Sequence, residues 1–223
     1  MKTFKTMLKT ELKLSLRGMD MFIFAICMPV VVIVLLGIIY GDKPAFADAE
    51  YTFLQQSFGA VSTIAICAGG LMGLPLVVSD YRNRKILKRL KVTPVKPITI
   101  LLVEITIYCI YSLVSLALIY LVAFLFFDFQ IIGSFWQFFL SFVLVMLSMF
   151  SIGMMVGGIA PNMKIASTVA SILYFPMLIF SGATLPYEIM PNALQNFANI
   201  LPLTQGIKLL KGTALGLPID NII

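Results

Sequence analysis

The fold class predicted is an all-α polytopic membrane protein, and three observations predict it. Of the 223 residues, 60% are hydrophobic and the mean hydropathy is +1.01. Apolar runs of about 20 residues or more recur along the chain, enough for a helix to cross a hydrocarbon core about 30 Å thick. Most Lys and Arg fall into two blocks beside those runs, 2–17 and 82–96, the distribution expected of cytoplasmic loops under the positive-inside rule. Lipid then supplies most of the apolar environment, and the formal charge of +6 reads as contact with an anionic leaflet rather than with nucleic acid.

Residues 1–20 repeat Phe4, Leu8, Leu12 and Leu16 at helical spacing with Lys between them, the pattern of an amphipathic helix lying in the interface. The first span is read at 21–40, with Pro29 as a kink. A basic start, an apolar run and Ala45-Phe46-Ala47 imitate a cleaved signal, but the run exceeds the roughly 7–15 residues of a signal core. An acidic loop follows over 41–55. The second span is placed at 57–79 and the basic segment at 80–97. The third span, 98–127, reaches about 45 Å at ~1.5 Å per residue, so it tilts or begins outside the hydrocarbon. Spans four and five are read at 135–160 and 165–180, joined by a tight turn at 161–164.

From Ser181 the pattern changes. Gly182, Pro186 and Pro191 interrupt any continuous helix, and 192–201 reads as a short, moderately apolar helix before Pro202. A re-entrant or interfacial external hairpin over 182–202 is expected, its backbone satisfied by protein or water. Alternating the spans puts Lys43, Lys208 and Lys211 outside and every other cation inside. Five spans leave the C-terminus outside, so a sixth span is expected after residue 223.

The basic segment holds Arg82, Arg84, Lys85, Lys88, Arg89, Lys91 and Lys96 against one acid, Asp80. Ile86, Leu87 and Leu90 share a helical face, and Pro94 and Pro97 close the segment. Three readings fit: plain topogenic charge, contact with anionic lipid, and docking to a soluble partner. Glu104 is an intramembrane carboxylate and so a candidate polar site. Snorkelling to the interface, or pairing with Lys96 or Lys164, is the reading favoured over a transport role. Gly69-x-x-x-Gly73 and Gly153-x-x-x-Gly157 let helices approach closely and read as packing within one protomer. The aromatic stretch around 124–139 reads as lipid-facing or core.

The composition narrows the chemistry. There is no His, which excludes His-dependent proteolysis, His-ligated haem and most zinc sites. Cys27, Cys67 and Cys109 lie in apolar runs, without a CxxC. No catalytic or metal-ligating cluster is visible. There is no GxxxxGK[ST] and no soluble stretch long enough for a nucleotide domain, so ATP could power this chain only through a separate subunit. A secondary transporter or channel would show internal repeats or clustered intramembrane charge, and neither is found.

Taken in order, these residues resemble a known family. An amphipathic start precedes a proline-containing first span and a basic helix ending in Arg-Leu-Lys-Val-Thr-Pro-Val at 89–95. Phe-Ser-Gly-Ala-Thr-Leu-Pro at 180–186 and Leu201-Pro202-Leu203-Thr204 follow. Together they are similar to membrane (permease) subunits of ATP-binding-cassette exporters of the second, ABC-2, class. The resemblance covers essentially the whole chain and implies six spans. It implies that 81–93 is a cytoplasmic coupling helix on an ATP-binding-cassette ATPase subunit, using Arg82, Arg84, Lys85, Ile86, Leu87, Arg89, Leu90 and Thr93. It implies an extracellular gate containing Ser181, Gly182, Pro186, Glu188, Pro191 and Pro202. It further implies a 2+2 assembly with a second permease copy or paralogue, ATP and Mg held by the partner, and a multi-pass place in the cell membrane with a cytoplasmic N-terminus. Glu104 departs from the family expectation of a basic or polar residue near that point, so no role is carried over to it. A bacterial drug or peptide exporter is the first expectation for substrate. A lipid or polysaccharide exporter of the same family, or a transporter without an ATPase, is the alternative.

Overall fold

The computed structural model describes residues 2–41, 43–45, 51–90, 95–181 and 191–217. All named elements among them are helical. Helix α1 (Lys2–Gly18) ends where Met19 takes a left-handed φ of 58°, a costly conformation for a long side chain that turns the chain sharply. One helical turn later α2 (Ile23–Tyr40) begins. Its first residues, Ile23–Cys27, are wound as a π-helix just ahead of Pro29. Proline has no N–H for the carbonyl four residues back, and a widened turn is one way a helix absorbs that loss.

Helix α3 (Phe53–Asn83) repeats the device, with π-helical Ala68–Gly73 directly before Leu74-Pro75. It outruns the expected 57–79 at both ends. At its start, Gln55 N–H donates to Thr52 Oγ1 (3.2 Å) and Thr52 N–H donates to Gln55 Oε1 (2.8 Å), a capping box that satisfies two orphan donors. After the turn at 84–85 come the five-residue α4 (Ile86–Leu90) and then α5 (Pro97–Phe127), opened by Pro at its first position. Helix α6 (Phe135–Ile159) follows, then α7 (Met163–Phe180), whose first turn is capped by Asn162 Oδ1 accepting from Ile165 N–H at 2.9 Å. Two shorter helices close the described chain, α8 (Asn192–Ile200) and α9 (Pro202–Leu215). Among the described residues five helices, α2, α3, α5, α6 and α7, are long and apolar enough to cross a membrane.

The five are not equivalent. The apolar window of α3 is 78% buried within the protein, against 17–44% for the others. It is therefore the central post, and the others present apolar side chains outward. Its small residues explain this. A Cβ on Gly153 of α6 would collide with the Gly70 carbonyl, and one on Gly157 would crowd Pro75 and Val78. Gly69 and Gly73 leave room for the Tyr108 ring of α5. Both glycine spacings thus serve contacts inside one chain, where close backbone approach supplies dispersion and packing energy. The aromatic stretch divides: Phe138 is buried and packs at 5.7 Å from Phe58, which also meets Phe129 at 4.4 Å. Phe124, Phe126 and Phe135 face outward.

Helix α1 packs along α5. Phe4, Met7, Leu8 and Leu12 pack against the core, while Leu16 of the expected stripe is exposed and Met7 takes part instead. The stripe is therefore spent on protein and not only on lipid, and Ser15 Oγ lies 3.0 Å from Tyr111 Oη.

Candidate functional site

The basic end of the molecule is built by the last turns of α3. Tyr81, Arg82 and Asn83 belong to that long helix, so the expected coupling segment 81–93 is not one helix. Lys85, at φ 58°, breaks it and swings α4 into a new direction. No residue of α4 is buried. Lys88 and Arg89 are exposed, and Ile86, Leu87 and Leu90 are half-covered. Arg84 and Lys85 are also exposed, and Arg84 Nε donates to Asp80 Oδ1 at 2.8 Å. A solvent-exposed pair four residues apart is worth only a few tenths of a kcal/mol, about 0.3–0.5. Thr93 lies outside the described residues.

Arg82 behaves differently from its neighbours. Its Nη1 donates to the carbonyls of Gly157 and Ala160, both at 3.0 Å. These belong to the C-terminal turn of α6, where carbonyls have no intrahelical donor and the helix dipole favours a cation. Arg82, expected in the coupling set, is engaged within its own chain through this nitrogen, fastening α3 to α6. Sequence spacing held no sign of this, because the partner carbonyls lie 75 and 78 residues away.

Glu104 is also reassigned. It is 6% exposed, and Tyr81 Oη donates to its Oε1 at 2.7 Å. It neither snorkels nor pairs with Lys96 or Lys164; a phenol one helix away reaches it first. Glu11 of α1 lies within electrostatic reach of Tyr81 and Glu104, and partial burial pushes its own carboxyl above the usual range. No group of three or more Cys, Asp or Glu able to hold a metal occurs among the described residues.

At the opposite end, Ser181 is buried and its hydroxyl donates to the Leu178 carbonyl at 3.3 Å. Pro191 and Pro202 are exposed and open α8 and α9. Gly182, Pro186 and Glu188 lie outside the described residues. The surprise is α9, which runs past the expected limit of 202 to Leu215 and is enclosed by α3 and α6. Leu203, Ile207, Leu210 and Ala214 make its buried stripe. Their i, i+4, i+7, i+11 spacing was the available signal, masked by Lys208, Lys211 and two glycines. Gly206 fits beneath Val145, and Gly59 beneath Leu210. The C-terminal end of α9 rises to the α5–α6 loop, where Gly133 N–H donates to the Ala214 carbonyl at 2.9 Å.

These contacts fix its direction. Val145 lies ten residues into α6 and Gly59 six residues into α3, about 15 Å and 9 Å below the helix starts. Along α9, Gly206 and Leu210 lie the same way below Ala214. The N-terminus of α9 at Pro202 is thus about 18 Å beneath the Gly133 loop. Helices α8 and α9 form a hairpin whose tip points away from the Gly133 loop.

The ABC-2 type transporter family matches residues 2–215. Nodulation protein J of Rhizobium leguminosarum bv. viciae is 39% identical over 72 residues, 32% of this chain and 28% of that protein. Nodulation protein J of Neorhizobium galegae and of Rhizobium meliloti (strain 1021) are 33% and 32% identical, with the same coverage. The chain thus aligns with less than a third of these relatives' length. No solved structure matches. With a family match spanning nearly every residue and five apolar helices to carry it, the chain belongs to the ABC-2 type transporter family and is a membrane component of such a transporter.

Proposed function

We propose that this chain is the permease subunit of an ATP-driven exporter, forming the substrate path and coupling to a separate ATP-binding-cassette ATPase. The observation that carries the reading is α4: a short basic helix with no buried residue, set at an angle on the end of the most buried helix of the protein. Such a helix is exposed enough to dock and anchored firmly enough to transmit force. Leu87 and Leu90 fill an apolar groove on the ATPase, and Arg84, Lys85 and Arg89 meet acids around it. Arg82 acts one step further in, passing displacement of α3 to α6. The ATPase partner holds ATP and Mg, and two copies of this chain, or this chain and a paralogue, share the path between them.

On this reading the basic end faces the cytoplasm, as does α1, and the α8–α9 hairpin caps the external side of the cell membrane, with lipid along the outward apolar faces. The substrate class proposed first is a drug or peptide, consistent with short loops; a lipid or polysaccharide is the alternative within the family. The test is Leu90→Asp in the assembled transporter. Substrate-stimulated ATP hydrolysis should be abolished while insertion and the melting temperature are retained. Undiminished stimulation would overturn the coupling role. Failure of any ATPase to co-purify with the wild-type chain would favour a transporter without one.

A further inference from the structure

We propose that the outward face of α1 is a docking surface for anionic lipid headgroups, held by Lys5, Lys9, Lys13 and Arg17. Charge, rather than an inserted apolar face, then ties this helix to the bilayer. The proposal goes beyond the exporter reading and is tested without any ATPase, so its failure leaves that reading standing.

The apolar face of α1 is already used. Phe4, Met7, Leu8 and Leu12 pack against the core, and α1 lies along α5. Ser15 Oγ sits 3.0 Å from Tyr111 Oη on the same side. Glu11, the one acid of the helix, is half-buried there, within electrostatic reach of Tyr81 and Glu104. An interfacial helix ordinarily binds a membrane by sinking its apolar face into the acyl boundary. Here α5 occupies that face, so contact with the bilayer falls to the residues opposite.

Those residues are cationic. Lys5, Lys9, Lys13 and Arg17 are exposed and recur every four residues, which keeps them on one slowly turning stripe of the helix. The stripe lies across the helix from Glu11. None of the four has an acid partner among the described residues. Like charges at this spacing repel one another on an isolated helix, and an anionic surface relieves that repulsion. Each basic residue held near such a surface strengthens attachment about fivefold.

Position selects lipid as the anionic surface. The span α2 starts at Ile23, shortly after α1 ends at Gly18. Its 18 residues cover about 27 Å at ~1.5 Å each, almost the whole of a hydrocarbon core about 30 Å thick. The start of α2 therefore stands at the edge of the hydrocarbon, and the last turn of α1 lies beside it at headgroup level. Leu14, Leu16 and Met19 are exposed around Lys13 and Arg17. Apolar side chains interleaved with cations suit the boundary where acyl chains meet phosphates.

The experiment titrates phosphatidylglycerol into the full chain held in a nonionic detergent, with phosphatidylcholine as the control of no net charge, reading the melting temperature. Phosphatidylglycerol should raise it saturably and phosphatidylcholine should not. Lys5→Gln, Lys9→Gln, Lys13→Gln and Arg17→Gln together should lower the apparent affinity at least about a hundredfold, and Lys13→Gln alone about fivefold. Lys13→Arg should retain it. No shift specific to phosphatidylglycerol would overturn the proposal, and so would a shift that survives loss of the four cations. An equal loss on neutralising Lys85, Lys88 and Arg89 would assign the effect to general attraction by the basic end, and overturns it too. If the combined variant does not fold, Lys13→Gln against Lys13→Arg decides, with equal affinities counting against. Unchanged lipid affinity in the combined variant, with loss of a co-purifying ATPase, would assign the face to a protein instead.

Discussion

The two cation-bearing ends of this protein use the same residue types in opposite ways. At the α4 end, Arg84, Lys85, Lys88 and Arg89 are exposed and rest on nothing buried. At the hairpin end, Lys208 is half-buried, bound to Asn199, on a helix enclosed by α3 and α6. The first arrangement leaves charge exposed, with Arg84 held only by a surface pair to Asp80, so meeting a partner costs the fold little. The second makes charge part of the packing, so that altering it disturbs the structure. Arg82 stands between these cases: it is exposed, yet its guanidinium is engaged by two carbonyls of α6.

The sharpest way to break the contrast is steric. A Cβ at Gly133 would collide with the Thr213 carbonyl, whereas one at Gly158, near the basic end, meets nothing within 4 Å. Gly133→Val is expected to unseat the C-terminal end of α9, costing about 3 kcal/mol or more because backbone cannot yield as a side chain can. Gly158→Ala should leave the melting temperature unchanged. Equal effects would show that the two ends are packed alike.

Tyr81→Phe comes next. It leaves Glu104 buried without its phenol donor, a loss of about 1–3 kcal/mol. Adding Glu104→Gln should recover part of it in a double-mutant cycle; independent effects would mean the pair is not coupled. Arg82→Met is expected to cost about 1 kcal/mol, since the group is exposed but caps a helix end. Arg84→Ala should cost less than half of that, and thermal unfolding of both variants side by side checks the ranking.

The smallest effect belongs to Glu11. Burial raises its folded-state value, so the folded protein binds that proton more tightly than the unfolded chain does. Its contribution is therefore favourable at low pH and is lost as pH rises through the raised value. Glu11→Gln should flatten the fall in stability across weakly acidic pH, measured by unfolding at a series of pH values. A steeper fall would mean the sign is wrong.

Much of the architecture was legible in the chain. Apolar runs specify spans wherever lipid is the neighbour, because crossing hydrocarbon requires length and hydropathy and little else. The amphipathic start, the five spans and the outward basic residues followed from that. The kink expected at Pro29 was visible as a missing N–H, but the π-turns at Ile23–Cys27 and Ala68–Gly73 were not. A lost donor says where a helix must adjust, and the neighbours decide how.

What the sequence determined alone is which segments are long and apolar enough to cross a membrane. Periodicity and composition suffice for that, since they describe a residue's solvent. The tertiary structure decided the partners. Only folding brings Arg82 to the end of α6, Tyr81 to Glu104 and Lys208 to Asn199, because each depends on helices distant in the chain or on the direction a turn takes. It also decided that α9, short and carrying two lysines, is among the most enclosed helices of the protein. Burial there comes from contact with α3 and α6, and no hydropathy of its own required it.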